Sequence, residues 1–345
     1  MAKTLPADTS SSTDVPIDDI MFVEGRPRIG LALGGGAARG WAHIGVLEVL
    51  AENGIVPDVI AGTSIGAVVG GCFGVGKLAE LKEFAFSLTT RKVFSMVDLT
   101  PLASGLVGGT KLEAILRDHL DDRRIEDIPT RTVFIASELA TGHEIWLRRG
   151  DLVTLMKASY ALPGVFRPVT INGRALVDGA LVNPVPVSVC RAYGARLVIA
   201  VNLSPETMPH GGVVPDLPDF DDGLENVDET EAEKQAEEES GFSLSDLRGL
   251  ANPIRFILRR QFATDAKSGP RGIPAVMMQS YTIIQDRMTR SRLAGDPPDA
   301  MIDPLLGDIG MFDFHKAEQA VEVGREAAKR SLDHIGLMME RLRPR

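Results

Sequence analysis

The 345-residue sequence has little cysteine, few aromatics and no unbroken apolar run of membrane-spanning length, and each shortage removes a class of protein. Its two cysteines, Cys72 and Cys190, sit in apolar segments and are expected to be reduced core residues of a cytoplasmic chain. A disulfide scaffold would need many more. Aromatics make up 5% of the residues while glycine occurs 35 times, a balance that suits α/β sheets with tight turns. The longest stretch of low polarity, residues 59–76, is punctuated by glycines and does not read as a transmembrane helix. Residues 1–27, rich in Ser, Thr, Asp and Pro near the start, are expected to be a disordered tail without a signal peptide. There is no internal repeat.

The formal net charge of −10 is concentrated in one place. Over residues 216–239, about a dozen acids face a single lysine, Lys234, a composition that stays solvated and unfolded. Residues 206–241 are therefore expected to form a disordered acidic insert. What remains is nearly neutral and can approach an anionic lipid surface, which a strongly acidic body would resist. Peripheral contact with the inner membrane is an expectation on this ground, and a nucleic-acid partner is not. Beyond the insert, residues 254–262 place apolar side chains at i, i+3, i+4 and i+8 with Arg255, Arg259 and Arg260 between them. A membrane-surface helix looks like this, and so does a helix packed on a sheet with its arginines in water.

What the chain does have is two glycine-bearing turns close together. Gly34-Gly35-Gly36-Ala37-Ala38-Arg39-Gly40 follows the apolar run Ile29-Gly30-Leu31-Ala32-Leu33, and Gly62-Thr63-Ser64-Ile65-Gly66 follows Asp58-Val59-Ile60-Ala61. Each reads as a strand turning sharply into a helix. In a G-x-S-x-G turn the flanking Gly62 and Gly66 make room for neighbouring backbone, and the bend lifts the Ser64 hydroxyl to a helix N-terminus. Free N–H groups and the positive dipole end there favour developing negative charge. The first turn fails as a dinucleotide site, because Arg39 stands where the third glycine or alanine belongs. It fails as a P-loop too, since no Gly-Lys-Ser/Thr follows. A loop of backbone donors survives, with a plain βα turn as the simpler alternative. Side by side, a nucleophile and an oxyanion site are what acyl transfer requires.

The rest alternates strand and helix. Residues 131–138 and 197–202 are short apolar runs typical of central parallel strands, while 40–52, 77–90, 110–120 and 317–342 read as helices. The fold class expected is a three-layer α/β/α sandwich around a mostly parallel sheet, with Ser64 at the carboxyl end of its strand. The catalytic core is expected over 28–205 and a helical remainder of the same domain over 242–345. Phe84, Phe86, Leu88, Val93, Phe94 and Met96, between the serine turn and the next motif, fit either an acyl-chain wall or ordinary core.

That next motif is Leu176-Val177-Asp178-Gly179-Ala180, an apolar strand ending in an aspartate and two small residues. Asp-Gly by itself commonly marks a hairpin turn. Upstream, Ala158-Ser159-Tyr160-Ala161-Leu162-Pro163-Gly164 reads as a helix end and an ordered loop, and downstream Asn183-Pro184-Val185-Pro186 forms a stiff one. In these ordered motifs the chain resembles the patatin-like phospholipase family, in particular its small bacterial members and the catalytic domains of neuropathy target esterase type. The resemblance rests on residues 30–50, 62–66, 158–168 and 177–186, and continues through 279–307 and 310–315.

The resemblance implies a lipid acyl hydrolase of the phospholipase A, lysophospholipase or carboxylesterase type, acting on phospholipid or lysophospholipid without metal or cofactor. Ser64 would be the nucleophile and Asp178 its base. The backbone around Gly35, Gly36 and Ala37, flanked by Gly34 and Arg39, would bind the oxyanion. Relatives often carry glycine where Ala37 and Ala180 stand; alanine does not take positive φ cheaply, so a reshaped donor loop is expected. Three alternatives remain from the residues themselves: an acyltransferase on the same serine turn, a weakly active regulatory protein, and an α/β-hydrolase triad. The last would draw its histidine from His315 or His334, which follow Asp178. His43 is expected to pack or to face solvent.

Overall fold

The computed structural model describes residues 26–96, 109–204, 264–265, 269–270 and 273–343. The acidic insert 206–241 and the segment bearing Arg255, Arg259 and Arg260 lie outside the described residues, as does the tail before Arg26.

A strand covered on both faces has no polar side to alternate with, so it reads as a continuous apolar run. β1 (Ile29–Leu33) and β2 (Val59–Thr63) are of this kind, and every residue in them is buried. Between them α1 (Ala42–Glu52) returns the chain, and α2 (Ile65–Gly74) follows β2 directly. The helix expected from Gly40 begins instead with a 3-10 turn, Ala37–Trp41, and becomes α-helical at Ala42. Asn53 caps it, and Gly54 takes φ 70° to leave it. The stretch read as one helix over 77–90 is two, α3 (Leu78–Phe86) and α4 (Thr90–Met96). Then come α5 (Thr110–Leu120), β3 (Arg131–Glu138), β4 (Glu144–Leu147), α6 (Leu152–Ser159), β5 (Val169–Ile171) and β6 (Arg174–Asp178). After α7 (Val187–Ala192) and β7 (Leu197–Val201), β8 (Thr264–Asp265) pairs with β9 (Gly269–Pro270). α8 (Ile273–Gly295), β10 (Ala300–Ile302) and α9 (Ala317–Arg341) complete the order.

Eight strands form one sheet in the order β10-β7-β1-β2-β3-β6-β5, with β4 also paired to β3. The first five are parallel to one another, and β4, β5 and β6 run antiparallel to their neighbours. Residues 242–345, expected to be helical, thus also supply a sheet strand in β10. Helices cover both faces, which makes the fold an α/β sandwich. Leu31 and Leu33 of β1 join the larger core beneath α1, α2, α6 and α9, while Ala32 joins the smaller one beneath α7. Cys72 and Cys190 are buried and free, one in each core.

By contacts the chain divides into two compact units. One takes the described residues up to Ser204 together with those from Met288 onward, and the other those from Pro205 to Arg287. The sheet with β10 and α9 belongs to the first. Among the described residues, no helix is long and apolar enough to cross a membrane.

Candidate active site

β2 ends at Thr63 and α2 starts at Ile65, so Ser64 alone makes the turn, at φ 57° and ψ −122°. A non-glycine residue in that region costs about 1–3 kcal/mol and persists only where its surroundings hold it. The flanking glycines are required by close approach. A Cβ on Gly62 would stand 2.6 Å from the Gly66 carbonyl oxygen, and one on Gly66 would overlap the Leu33 carbonyl oxygen of β1. The Ser64 carbonyl accepts the Ala67 N–H at 2.9 Å, and the Ser64 N–H donates to the Ser159 hydroxyl at 2.9 Å.

The Ser64 hydroxyl donates to Oδ2 of Asp178 at 2.6 Å, with both residues buried. Oδ1 of Asp178 accepts the Ala180 N–H at 2.8 Å. The backbone of Asp178 is fixed as well: its N–H donates to the Ala161 carbonyl at 3.0 Å and its carbonyl accepts the Ser137 hydroxyl at 2.8 Å. Asp178-Gly179 forms no hairpin; it leads into a 3-10 turn, Gly179–Leu181. Burial pushes the Asp178 carboxyl up to about 6, and the hydrogen bonds from Ser64 and Ala180 offset only part of that rise.

The sheet explains why two such distant residues meet. Ile135 of β3 pairs with Thr63 of β2 and with Trp146 of β4, while Ala136 pairs with Asp178 of β6 and with Ile145 of β4. A strand has two edges, so β4 occupies one, and β2 and β6 share the other end to end. Where β2 turns away at Ser64, β6 takes over, and its last residue is Asp178.

Part of the glycine loop is already paired. The Gly34 N–H donates to the Val201 carbonyl and the Gly35 N–H to the Pro184 carbonyl, at 3.1 and 3.0 Å. Arg39 spends its N–H on the Gly36 carbonyl and its Nε on the Ile309 carbonyl. Among the described residues, no backbone hydrogen bond takes the N–H of Gly36 or Ala37. Ala37 adopts φ 48°. Alanine thus takes a positive φ here, at the local cost the sequence reading attached to it.

His43 packs. It is fully buried in α1, and its Nε2 donates to the Gly34 carbonyl at 2.8 Å. Burial holds its pKa down at about 4, so the ring is neutral with its proton on Nε2. No hydrogen bond joins a histidine to Ser64 or Asp178 among the described residues. His315 is exposed, and His334 bonds the Asp299 carbonyl just before β10, at the amino end of the strands, away from Ser64. Among the described residues, the geometry thus gives the triad alternative no histidine.

Several participants escaped the sequence reading. Ser159 and Ser137 were visible only as polar residues in apolar segments, and Thr63, whose hydroxyl donates to the Asn183 carbonyl at 2.9 Å, only as a motif filler. Of the residues fitting an acyl-chain wall, Leu88 is buried in the main core, and Phe84 and Val93 pack against it. Phe86 is exposed, and the side chains of Phe94 and Met96 lie outside the described ones.

The family described as patatin-like phospholipase matches residues 31–191. An uncharacterized NTE family protein of Mycobacterium tuberculosis is 33% identical over 340 residues, covering 89% of this chain and 92% of that protein. Patatin-like phospholipase domain-containing protein 7 of Rattus norvegicus is 34% identical over 182 residues, which is 51% of this chain and 13% of that much longer protein. Among solved structures, VipD from Legionella pneumophila aligns at a TM-score of 0.44 and 13% identity over 90% of this chain and 67% of its own. The chain belongs to the patatin-like phospholipase family. Membership supports a lipid-hydrolase activity in general terms.

Proposed function

We propose that the protein is a serine acyl hydrolase that cleaves carboxylic esters of phospholipids or lysophospholipids, with Ser64 as nucleophile and Asp178 as its only base. The observation that carries this is the 2.6 Å hydrogen bond from the Ser64 hydroxyl to a buried carboxylate whose pKa is raised to about 6. A base near that value is deprotonated at neutral pH and still basic enough to take a proton. Ser64 Oγ attacks the ester carbonyl carbon while its proton passes to Oδ2 of Asp178. The oxyanion forms against the N–H groups of Gly36 and Ala37, beside the start of α2. As the carbonyl reforms, the ester C–O bond breaks and the leaving alcohol takes the proton from Asp178. Water then attacks the acyl-enzyme, gives its proton to Asp178, and the released Ser64 oxygen recovers it as the fatty acid leaves.

A fluorophosphonate probe tests the assignment. The wild-type protein should be labelled covalently and release fatty acid from a lysophospholipid, and Ser64→Ala should do neither. Undiminished labelling of Ser64→Ala would move the nucleophile elsewhere.

A further inference from the structure

Ser159 closes α6 and is fully buried, with no exposed role to account for its hydroxyl. That hydroxyl makes two hydrogen bonds, donating to the Ile135 carbonyl at 2.6 Å and accepting the Ser64 N–H at 2.9 Å. Their directions are unambiguous, since a carbonyl cannot donate and an amide N–H cannot accept. Ile135 and Thr63 are the last pair in the β2–β3 ladder. Ser64 is the first residue past it and has lost its neighbouring strand, so the Ser159 oxygen carries the ladder one step further as a bridge.

We propose that Ser159 is a positioning residue for the Ser64–Asp178 pair: its hydroxyl clamps the Ser64 N–H onto β3 and so holds the strained nucleophile in line with Asp178. The proposal rests on the reading of Ser64 as nucleophile. Three atoms of Ser64 must be held for its turn to persist. The carbonyl is held by the Ala67 N–H, Oγ by Asp178, and the nitrogen by Ser159. The strand that Ser159 grips also sets the other partner, because Ala136 pairs with Asp178, and Gly179 packs so closely that a Cβ there would overlap the Ile135 carbonyl. One hydroxyl therefore references nucleophile and base to the same peptide group. Without it, the Ser64 N–H is left buried and unpaired, and the turn relaxes to recover a partner. Misplacement of a reacting atom by about 1 Å can cost on the order of 10²-fold in rate.

The test compares Ser159→Ala and Ser159→Thr in the full chain, with Ser64→Ala as a control. Hydrolysis of p-nitrophenyl butyrate is measured per active site titrated with fluorophosphonate, so that a misfolded fraction drops out of kcat. Ser159→Ala is expected to lose roughly 10- to 100-fold in kcat per titrated site, with KM nearly unchanged and the labelling rate falling in parallel. Ser159→Thr, which keeps the oxygen, should recover most of kcat even if its added methyl lowers the melting temperature. A structural role alone would move the melting temperature and the titrated fraction but leave kcat per site intact. That result for Ser159→Ala overturns the proposal, as does a Thr variant as slow per site as the Ala variant. A Ser64→Ala control that still turns over would instead overturn the nucleophile assignment, a separate outcome.

Discussion

Ser64 and Asp178 lie 114 residues apart in the chain, yet their side chains meet at 2.6 Å because β2 and β6 share one edge of β3. The same arrangement buries the carboxylate, since Asp178 ends a strand inside the sheet layer with the helix start of α2 beside it. Burial makes its charged form costly, which raises its pKa to about 6.

The rate should therefore follow the ionisation of Asp178. The kcat/KM for a soluble ester is expected to rise with pH through an apparent pKa near 6 and level off above it, because only the carboxylate accepts the Ser64 proton. Asp178→Asn keeps the shape and removes the proton acceptor, at a cost of about 10²–10⁴ in kcat. His315→Ala and His334→Ala should retain most activity. A histidine variant as inactive as Asp178→Asn would return the triad to consideration.

Stability should respond to pH in two opposing ways. The Asp178 pKa is raised from 3.8 to about 6 on folding, so its share of stability is full below pH 3.8 and is lost as pH rises through 6. The His43 pKa is depressed from 6.5 to about 4, so its share is present above pH 6.5 and is lost as pH falls through 4. Asp178→Asn should accordingly melt higher than wild type at pH 7.5, by a margin that shrinks toward pH 4. His43→Gln, which can still donate to the Gly34 carbonyl, should lose less stability than wild type between pH 6.5 and 4. Thermal melts of the three proteins across that range decide the matter; parallel pH profiles would contradict both assignments.

Ala37 offers a test of the donor loop. At φ 48° its side chain costs about 1–2 kcal/mol, which glycine would relieve while giving back about 0.4–1 kcal/mol through a freer unfolded chain. Ala37→Gly should therefore be neutral or stabilise by up to about 1.6 kcal/mol, with kcat unchanged or higher. Chemical denaturation and ester turnover measure both, and a clear loss of either would show that the Ala37 methyl has a use of its own.

The sequence by itself determined the elements that depend on local chemistry. Apolar runs without polar alternation marked β1, β2, β3 and β7, and the glycines around Ser64 announced a turn that leaves room for neighbouring backbone. Asn53-Gly54 stopped α1 where expected, because the left-handed residue that ends a helix is a property of a few neighbouring positions. The motif carrying Asp178 was legible through its order relative to the serine turn. What the tertiary structure alone decided was every relation between segments far apart in sequence. Which N–H groups of the glycine loop stay free depended on Val201 and Pro184, which lie far along the chain and consume those of Gly34 and Gly35. That His43 tethers the loop and His334 lies at the far end of the sheet could not be read from spacing, since a histidine's neighbours come from packing. Ser159 shows the same limit most plainly. A buried hydroxyl takes its meaning from the donor and acceptor brought to it, and both were placed there by the pairing of β2 with β3.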